Sequence, residues 1–317
     1  MSKRAIPLVD LSKFIAGSDA DKADFVAQLG NAFHTVGFVG VINHGIPKAL
    51  INTFYDQSKS FFNRPLDEKL KYQVAGGAGQ RGYTSFGTEH AKQSTAGDLK
   101  EFFQFGQEVT DGDPIKSMYP ENVVVHDQKE FTESGQELYR QFELAGKNLL
   151  QAIALFLNLD KHYFDTRIHN GNSILRAIHY PPITSEPNSA IRAEQHEDIN
   201  LITLLVGASA GGLQILTSEN EWMNVVPEGE EIVINVGDML QRLTNNYLKS
   251  TTHRVVNPPK EEWHIPRLSI PFFLHPKADV DLTCLPSCVS DAHPIQYESI
   301  TAGNYLNERL REIGLMK

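Results

Sequence analysis

Two cysteines in 317 residues are too few for a disulfide framework. Cys284 and Cys288 lie close together around a proline and read as free thiols in a loop, the state a reducing compartment imposes, rather than as a bridge or a metal clip. Long apolar runs are missing as well: no stretch of about 18 such residues exists, which excludes a membrane-spanning helix. The start, Met1-Ser2-Lys3-Arg4-Ala5-Ile6-Pro7, has neither the apolar core nor the small-residue cleavage site of a signal peptide, so a cytoplasmic location is expected. Positive charge is in deficit. Lys and Arg number 29 against 39 Asp and Glu, for a formal net charge of −10 and a pI near 5.6. A phosphate backbone calls for a concentrated basic patch, and none is found, which argues against a nucleic-acid partner. Internal repeats and low-complexity linkers are absent too, so a single domain over 1–317 is expected.

What is present suits a large core, with 41% hydrophobic and 21% charged residues. Residues 1–165 read as mostly helical. A short strand at Ile6 to Asp10 precedes an amphipathic helix from Asp21 to Val36, a strand from Gly37 closed by Asn43-His44-Gly45, and a helix from Pro47 to Phe62 with proline near its first position. His44 is read as a loop or core histidine. Gly77, Gly79 and Gly82 match a G-x-G-x-x-G pattern, but no buried strand precedes them and no helix follows, which excludes a dinucleotide fingerprint and leaves a loop near a pocket mouth. Asp98 to Gln107 reads as a strand with Phe103 and Phe105 on one face and Phe102 on the other. A long helix from Asp127 to Leu159 follows, its apolar residues at three- and four-residue steps.

After Ser173 the pattern becomes short β-type runs separated by Gly, Pro, Asn and Asp: Ile174 to Tyr180, Ile199 to Val206, Gly212 to Leu216, Trp222 to Val226, Glu231 to Val236, Met239 to Leu243, Thr251 to Val256 and Arg267 to Phe273. Such a set suits a jelly roll over 170–280, with a C-terminal helix in 298–317 packed outside it. The expected fold is therefore mixed α and β, a double-stranded β-helix flanked by N-terminal helices, the long middle helix and the C-terminal one.

Within that core, His196 and Asp198 stand two residues apart. On a strand that spacing places an imidazole and a carboxylate on one face, about 6.5 to 7 Å apart along it. His253 stands 55 residues beyond Asp198 in another β-branched run. Two histidines and one carboxylate form the facial triad of non-haem Fe(II) oxygenases, yet zinc in a hydrolase can use the same donors. Arg267 and Ser269 also share a strand face, and a guanidinium in the apolar run Arg-Leu-Ser-Ile-Pro-Phe-Phe needs a buried anionic partner.

Taken together, these motifs give the chain a resemblance to the Fe(II)/2-oxoglutarate-dependent dioxygenases of the isopenicillin N synthase-like group. The resemblance covers nearly the whole chain: the Ile-Pro-X-Val-Asp start, Gly37-Phe38 with Asn43-His44-Gly45, Asp98 with Phe102-Phe103, Tyr180-Pro181-Pro182, His196-Glu197-Asp198, Gly212-Leu213-Gln214, Gly237-Asp238, Lys249-Ser250 with His253-Arg254, and Arg267-Leu268-Ser269. It implies Fe(II) on His196, Asp198 and His253, and the distal carboxylate of 2-oxoglutarate on Arg267, Ser269 and Tyr180. It further implies oxidation of an unactivated C–H bond of a small molecule by O2, with release of succinate and CO2. Many plant relatives carry Asn-X-Tyr where this chain has Ile178-His179-Tyr180, so a polar contact is replaced by an apolar one. By strand alternation Arg176 and Ile178 face inward with Tyr180, and the cation at Arg176 suggests a substrate that carries a carboxylate or phosphate, a structural salt bridge being the alternative. Phe103 and Phe273 are candidate apolar walls, and Thr84 lies in a loop that shapes the pocket in relatives. An oxidase of the same group that dispenses with 2-oxoglutarate, a zinc hydrolase and a non-catalytic binding module all remain open at this level.

Overall fold

Local capping chemistry sets where the N-terminal elements begin. The computed structural model describes residues 6–77, 79–89, 98–109, 111–187, 190–207, 209–312 and 315. Strand β1 (Leu8–Asp10) runs directly into α1 (Leu11–Ala16), because the Asp10 carboxylate accepts the Ser12 amide hydrogen at 3.0 Å and caps the helix. Ser18 and Asp21 form a reciprocal capping box at the head of α2 (Asp19–Thr35). At Gly37 the chain turns with φ +75 into β2 (Phe38–Ile42), and a Cβ there would stand 2.3 Å from the Lys249 carbonyl, so only glycine fits. Helices α3 (Lys48–Phe62) and α4 (Leu66–Leu70) follow, then β3 (Gly82–Thr84) and β4 (Glu101–Gly106).

The expected long helix is α5 (Lys129–Phe156), and the short α6 (Asp165–Ile168) leads into the core. Eight strands make that core: β5 (Ile174–Tyr180), β6 (Ala193–His196), β7 (Ile202–Val206), β8 (Leu213–Leu216), β9 (Trp222–Asn224), β10 (Ile232–Val236), then, after α7 (Asp238–Leu243), β11 (His253–Val255) and β12 (Arg267–Leu274). Helix α8 (Ala302–Glu312) closes the chain. The strands form an eight-stranded sheet in the order β1-β2-β10-β7-β12-β5-β4-β3, facing a four-stranded sheet β6-β11-β8-β9, which is the jelly-roll arrangement.

Strand parity decides what enters the space between the sheets. On β12, Leu268, Ile270, Phe272 and Leu274 join the main hydrophobic core, where α5 packs Phe142 parallel to Phe272 at 5.5 Å and Tyr139 edge-on to it at 5.0 Å. Arg267, Ser269 and Phe273 therefore take the opposite face. On β5, Leu175 and Ala177 go to the helix layer, and Ile174, Arg176, Ile178 and Tyr180 turn inward.

Three expectations are corrected. Met239 to Leu243 is helix, not strand: Met239, Leu240 and Leu243 are spaced for one helical face as well as for a buried strand, and all three are buried. Strand β6 replaces it in the core, and its sequence Ala-Glu-Gln-His has no β-branched residue to announce it. Finally, Asp198 is not on a strand. β6 ends at His196 and β7 begins only at Ile202, so Asp198 sits in the intervening turn.

Candidate active site

β6 and β11 pair antiparallel with His196 directly opposite His253, which brings the two imidazoles to a centroid distance of 4.4 Å. The turn after β6 folds Asp198 back beneath them, its Oδ1 4.0 Å from Nε2 of His196 and 3.8 Å from Nε2 of His253. One ligand atom from each residue lies within 4.8 Å of the others, a spread that one first-row cation can bridge. Backbone carbonyls fix the imidazole tautomers. Nδ1 of His196 donates to the Glu194 carbonyl at 2.6 Å and Nδ1 of His253 to that of Thr251 at 3.1 Å, so the lone pairs of both rings sit on Nε2, beside the carboxylate.

Asp198 is buried and its other oxygen is occupied, accepting from Thr203 Oγ1 at 2.6 Å and Asn235 Nδ2 at 2.8 Å. Burial pushes its pKa up, but His253, His196 and these two donors outweigh it and hold the carboxyl below the usual range. Burial, then His253, holds His196 below the usual imidazole value. The result is a carboxylate facing two imidazole Nε2 atoms, the donor set a divalent cation requires. Thr203→Val is expected to leave Asp198 held by Asn235 alone and to weaken Fe(II) binding about 10-fold, measured by metal competition, with the fold intact by circular dichroism.

Across the barrel, β5 and β12 pair Tyr180 with Arg267 and Ile178 with Ser269. Arg267 is 2% exposed, and its Nε donates to the Ala210 carbonyl at 3.1 Å while its buried Nη1 has no hydrogen-bond partner. A guanidinium fork held by one arm, with the other idle in the interior, fits a carboxylate acceptor. Ile178 packs with Tyr180, Phe102, Ala193 and Val255 in a small cluster between the two sheets and does not line the open cavity.

That cavity has a volume of about 580 Å³ and runs from His196 and Asp198 past Lys100, Arg176 and Phe273 to Leu310 of α8. Arg176 faces it, as strand alternation predicts, but is already paired: Nη1 lies 3.1 Å from Glu89 and Nε donates to Gln104 at 2.8 Å. Its guanidinium lies 4.1 Å from the Phe102 ring centre and 5.2 Å from that of Phe273. Lys100 bridges Glu89 at 2.7 Å and Asp98 at 2.8 Å. Burial drives the Glu89 carboxyl up, yet Arg176 and Lys100 overcome this and bring it down to about 2.

Of the remaining expected contacts, Phe273 lines the cavity and Phe103 does not. Phe103 packs among Phe61, Phe105 and Phe131 at centroid distances of 5.0 to 5.1 Å, on the helix side of the sheet; Phe102 is the inward residue of that pair. Thr84 is buried opposite Phe102 and lies outside the cavity lining, whereas Gln80, from the glycine-rich loop, is part of it. Glu89, Lys100 and Gln104 escaped the sequence reading. The signal for two of them was Lys100 and Gln104 flanking the aromatic run of β4.

Comparison with known proteins decides between the metals and chemistries that this donor set allows. Residues 6–127 match the non-haem dioxygenase in morphine synthesis N-terminal family, and residues 171–276 match the 2OG-Fe(II) oxygenase superfamily. A 2-oxoglutarate-Fe(II) type oxidoreductase of Emericella nidulans is 31% identical over 313 residues, covering 95% of this chain and 88% of its own length. The chain belongs to the 2OG-Fe(II) oxygenases. A 2OG-Fe(II) oxygenase family protein of Caulobacter crescentus is 40% identical, with a TM-score of 0.88 over 98% of this chain and 100% of its own. A Neurospora crassa protein solved with alpha-KG and thymine is 32% identical, with a TM-score of 0.85 over 98% and 97%. As a 2OG-Fe(II) oxygenase this chain is an oxidoreductase that uses Fe(II), 2-oxoglutarate and O2. Among the described residues no helix is long and apolar enough to cross a membrane.

Proposed function

We propose that His196, Asp198 and His253 hold the Fe(II), that Arg267, Ser269 and Tyr180 hold the distal carboxylate of 2-oxoglutarate, and that the prime substrate is a small, neutral, planar molecule with hydrogen-bonding edges. The observation that carries the first part is the register that sets His196 against His253 with Asp198 between their Nε2 atoms and an idle guanidinium arm on the facing sheet. Bound together, Fe(II), 2-oxoglutarate and O2 supply an oxidant able to break an unactivated C–H bond, with release of succinate and CO2. The chain's own part is placement: with His196, Asp198 and His253 as its donors, a six-coordinate Fe(II) would keep three positions for 2-oxoglutarate and O2.

The substrate class follows from charge. Arg176 was expected to meet a carboxylate, but Glu89 already neutralises it inside the protein, and displacing a buried partner costs about 3–5 kcal/mol. Among the described residues acidic side chains in the cavity outnumber basic ones by five to three, so even a divalent cation leaves no surplus positive charge for an anion. Phe273, which lines the cavity with the Arg176 guanidinium 5.2 Å from its ring centre, offers a flat surface on which a ring can stack. Thymine, the ligand of the Neurospora relative, has this character. The free thiols Cys284 and Cys288 suit a cytoplasmic enzyme, and β1 to β4 continue the sheet of the core, so the chain acts as one unit.

Succinate release from 2-oxoglutarate, measured across matched neutral heterocycles and their carboxylated analogues, tests this. Neutral rings are expected to stimulate turnover at least about tenfold over background, and Glu89→Gln, by freeing Arg176, to shift the preference toward carboxylates. Stimulation by carboxylates alone in the wild type would overturn the substrate assignment.

A further inference from the structure

We propose that Arg192 is a second cationic contact for the distal carboxylate of 2-oxoglutarate, acting beside Arg267. Arg192 immediately precedes β6 and is 1% exposed. Its Nη2 donates to the Ile265 carbonyl at 3.0 Å, while its Nε is buried without a hydrogen-bond partner. The guanidinium carbon lies 6.0 Å from the centre of the Tyr180 ring, the same ring that Arg267 approaches at 5.0 Å. Two buried guanidiniums thus meet one tyrosine, each steadied through a backbone carbonyl and each with an unused N–H.

Among the described residues neither has a carboxylate within ion-pair distance. Burial first, and the neighbouring Arg267 second, bring the Arg192 guanidinium down to about 10, against the smaller opposing effects of Tyr180 and then Glu262. Taking one unpaired cation out of water costs several kcal/mol, and a second beside it adds repulsion. A fold carries such a pair at lower cost when an anion spends time between them, and a carboxylate has enough lone pairs for two forks. The inference rests on the assignment of Arg267 to that carboxylate. The alternative role for Arg192 is structural, pinning the segment before β12 through Ile265.

Anaerobic titration of the Fe(II)-loaded protein with 2-oxoglutarate, followed by the charge-transfer absorption of the complex, separates these readings without turnover. 2-Oxopentanoate, which has the same carbon chain but no distal carboxylate, is the second ligand. For Arg192→Gln the Kd for 2-oxoglutarate is expected to rise about tenfold and that for 2-oxopentanoate to stay within about twofold, with Fe(II) affinity unchanged. Equal weakening of both ligands, or no change for 2-oxoglutarate, overturns the proposal. If glutamine prevents folding, Arg192→Lys carries the test: the discrimination between the two ligands must fall at least about threefold, since an ammonium keeps the charge and loses the fork. Arg267→Gln is the control for the underlying assignment. Should it bind 2-oxoglutarate as the wild type does, that assignment fails, whereas an effect at Arg267 without one at Arg192 removes only the present inference.

Discussion

Asp198→Ala is expected to lower kcat/KM by at least about a thousandfold, equivalent to about 4 kcal/mol of transition-state stabilisation, through loss of Fe(II). The two imidazoles that remain carry no negative charge, and their Nδ1 atoms are committed to the Glu194 and Thr251 carbonyls, so two nitrogen donors alone would face a doubly charged ion. Asp198 supplies the only negative charge of the donor set, held in place by Thr203 and Asn235. Removing it also strands those two buried donors, at about 1–3 kcal/mol each, so the thermal midpoint of the variant should fall as well. Metal analysis together with circular dichroism distinguishes loss of iron from loss of fold. A folded, iron-loaded and active variant would remove Asp198 from the site.

Arg267→Gln is expected to raise the KM for 2-oxoglutarate at least about a hundredfold while Fe(II) binding stays near the wild-type value. The guanidinium is buried with Tyr180 opposite it on β5, one arm fixed on the Ala210 carbonyl and the other idle. Hydrogen bonds that join two charges are worth about 1.5–3 kcal/mol each, and a bidentate pair makes two of them. Glutamine keeps one neutral amide donor on a shorter side chain and loses both the charge and the fork. Isothermal titration with 2-oxoglutarate under anaerobic conditions reads this directly, and an unchanged affinity would place the cosubstrate elsewhere.

The cluster of His196, Asp198 and His253 was legible because two of the three belong to one short motif and the third to a β-branched run, and the pairing of β6 with β11 brings the two histidines together. The setting of Asp198 was not. His196-Glu197-Asp198 has the spacing of a strand, but the chain leaves the sheet at His196, and it is the turn that folds the carboxylate under the imidazoles. Phe102 and Phe103 show the limit of parity. They are adjacent and chemically alike, and which of them enters the barrel depends on packing against α3 and α5 rather than on any local pattern. Arg176 lines the cavity as strand alternation implies, while its ion pair with Glu89 was not legible, because Glu89 lies 87 residues away outside any strand. The helix at Asp238–Leu243 and the strand at Ala193–His196 failed for opposite reasons, one having apolar spacing that suits either state and the other having no apolar pattern at all.

Anaerobic addition of Fe(II) and then 2-oxoglutarate to the purified protein, followed by visible absorption, tests most directly whether one ferrous ion and one 2-oxoglutarate share this site. The expected result is a charge-transfer band that appears only with both present, saturates at one equivalent of each, and is absent in His253→Ala. A wild-type protein that takes up Fe(II) and 2-oxoglutarate without forming the band, or a His253→Ala protein that forms it unchanged, would contradict the assignment of His196, Asp198 and His253 to the metal.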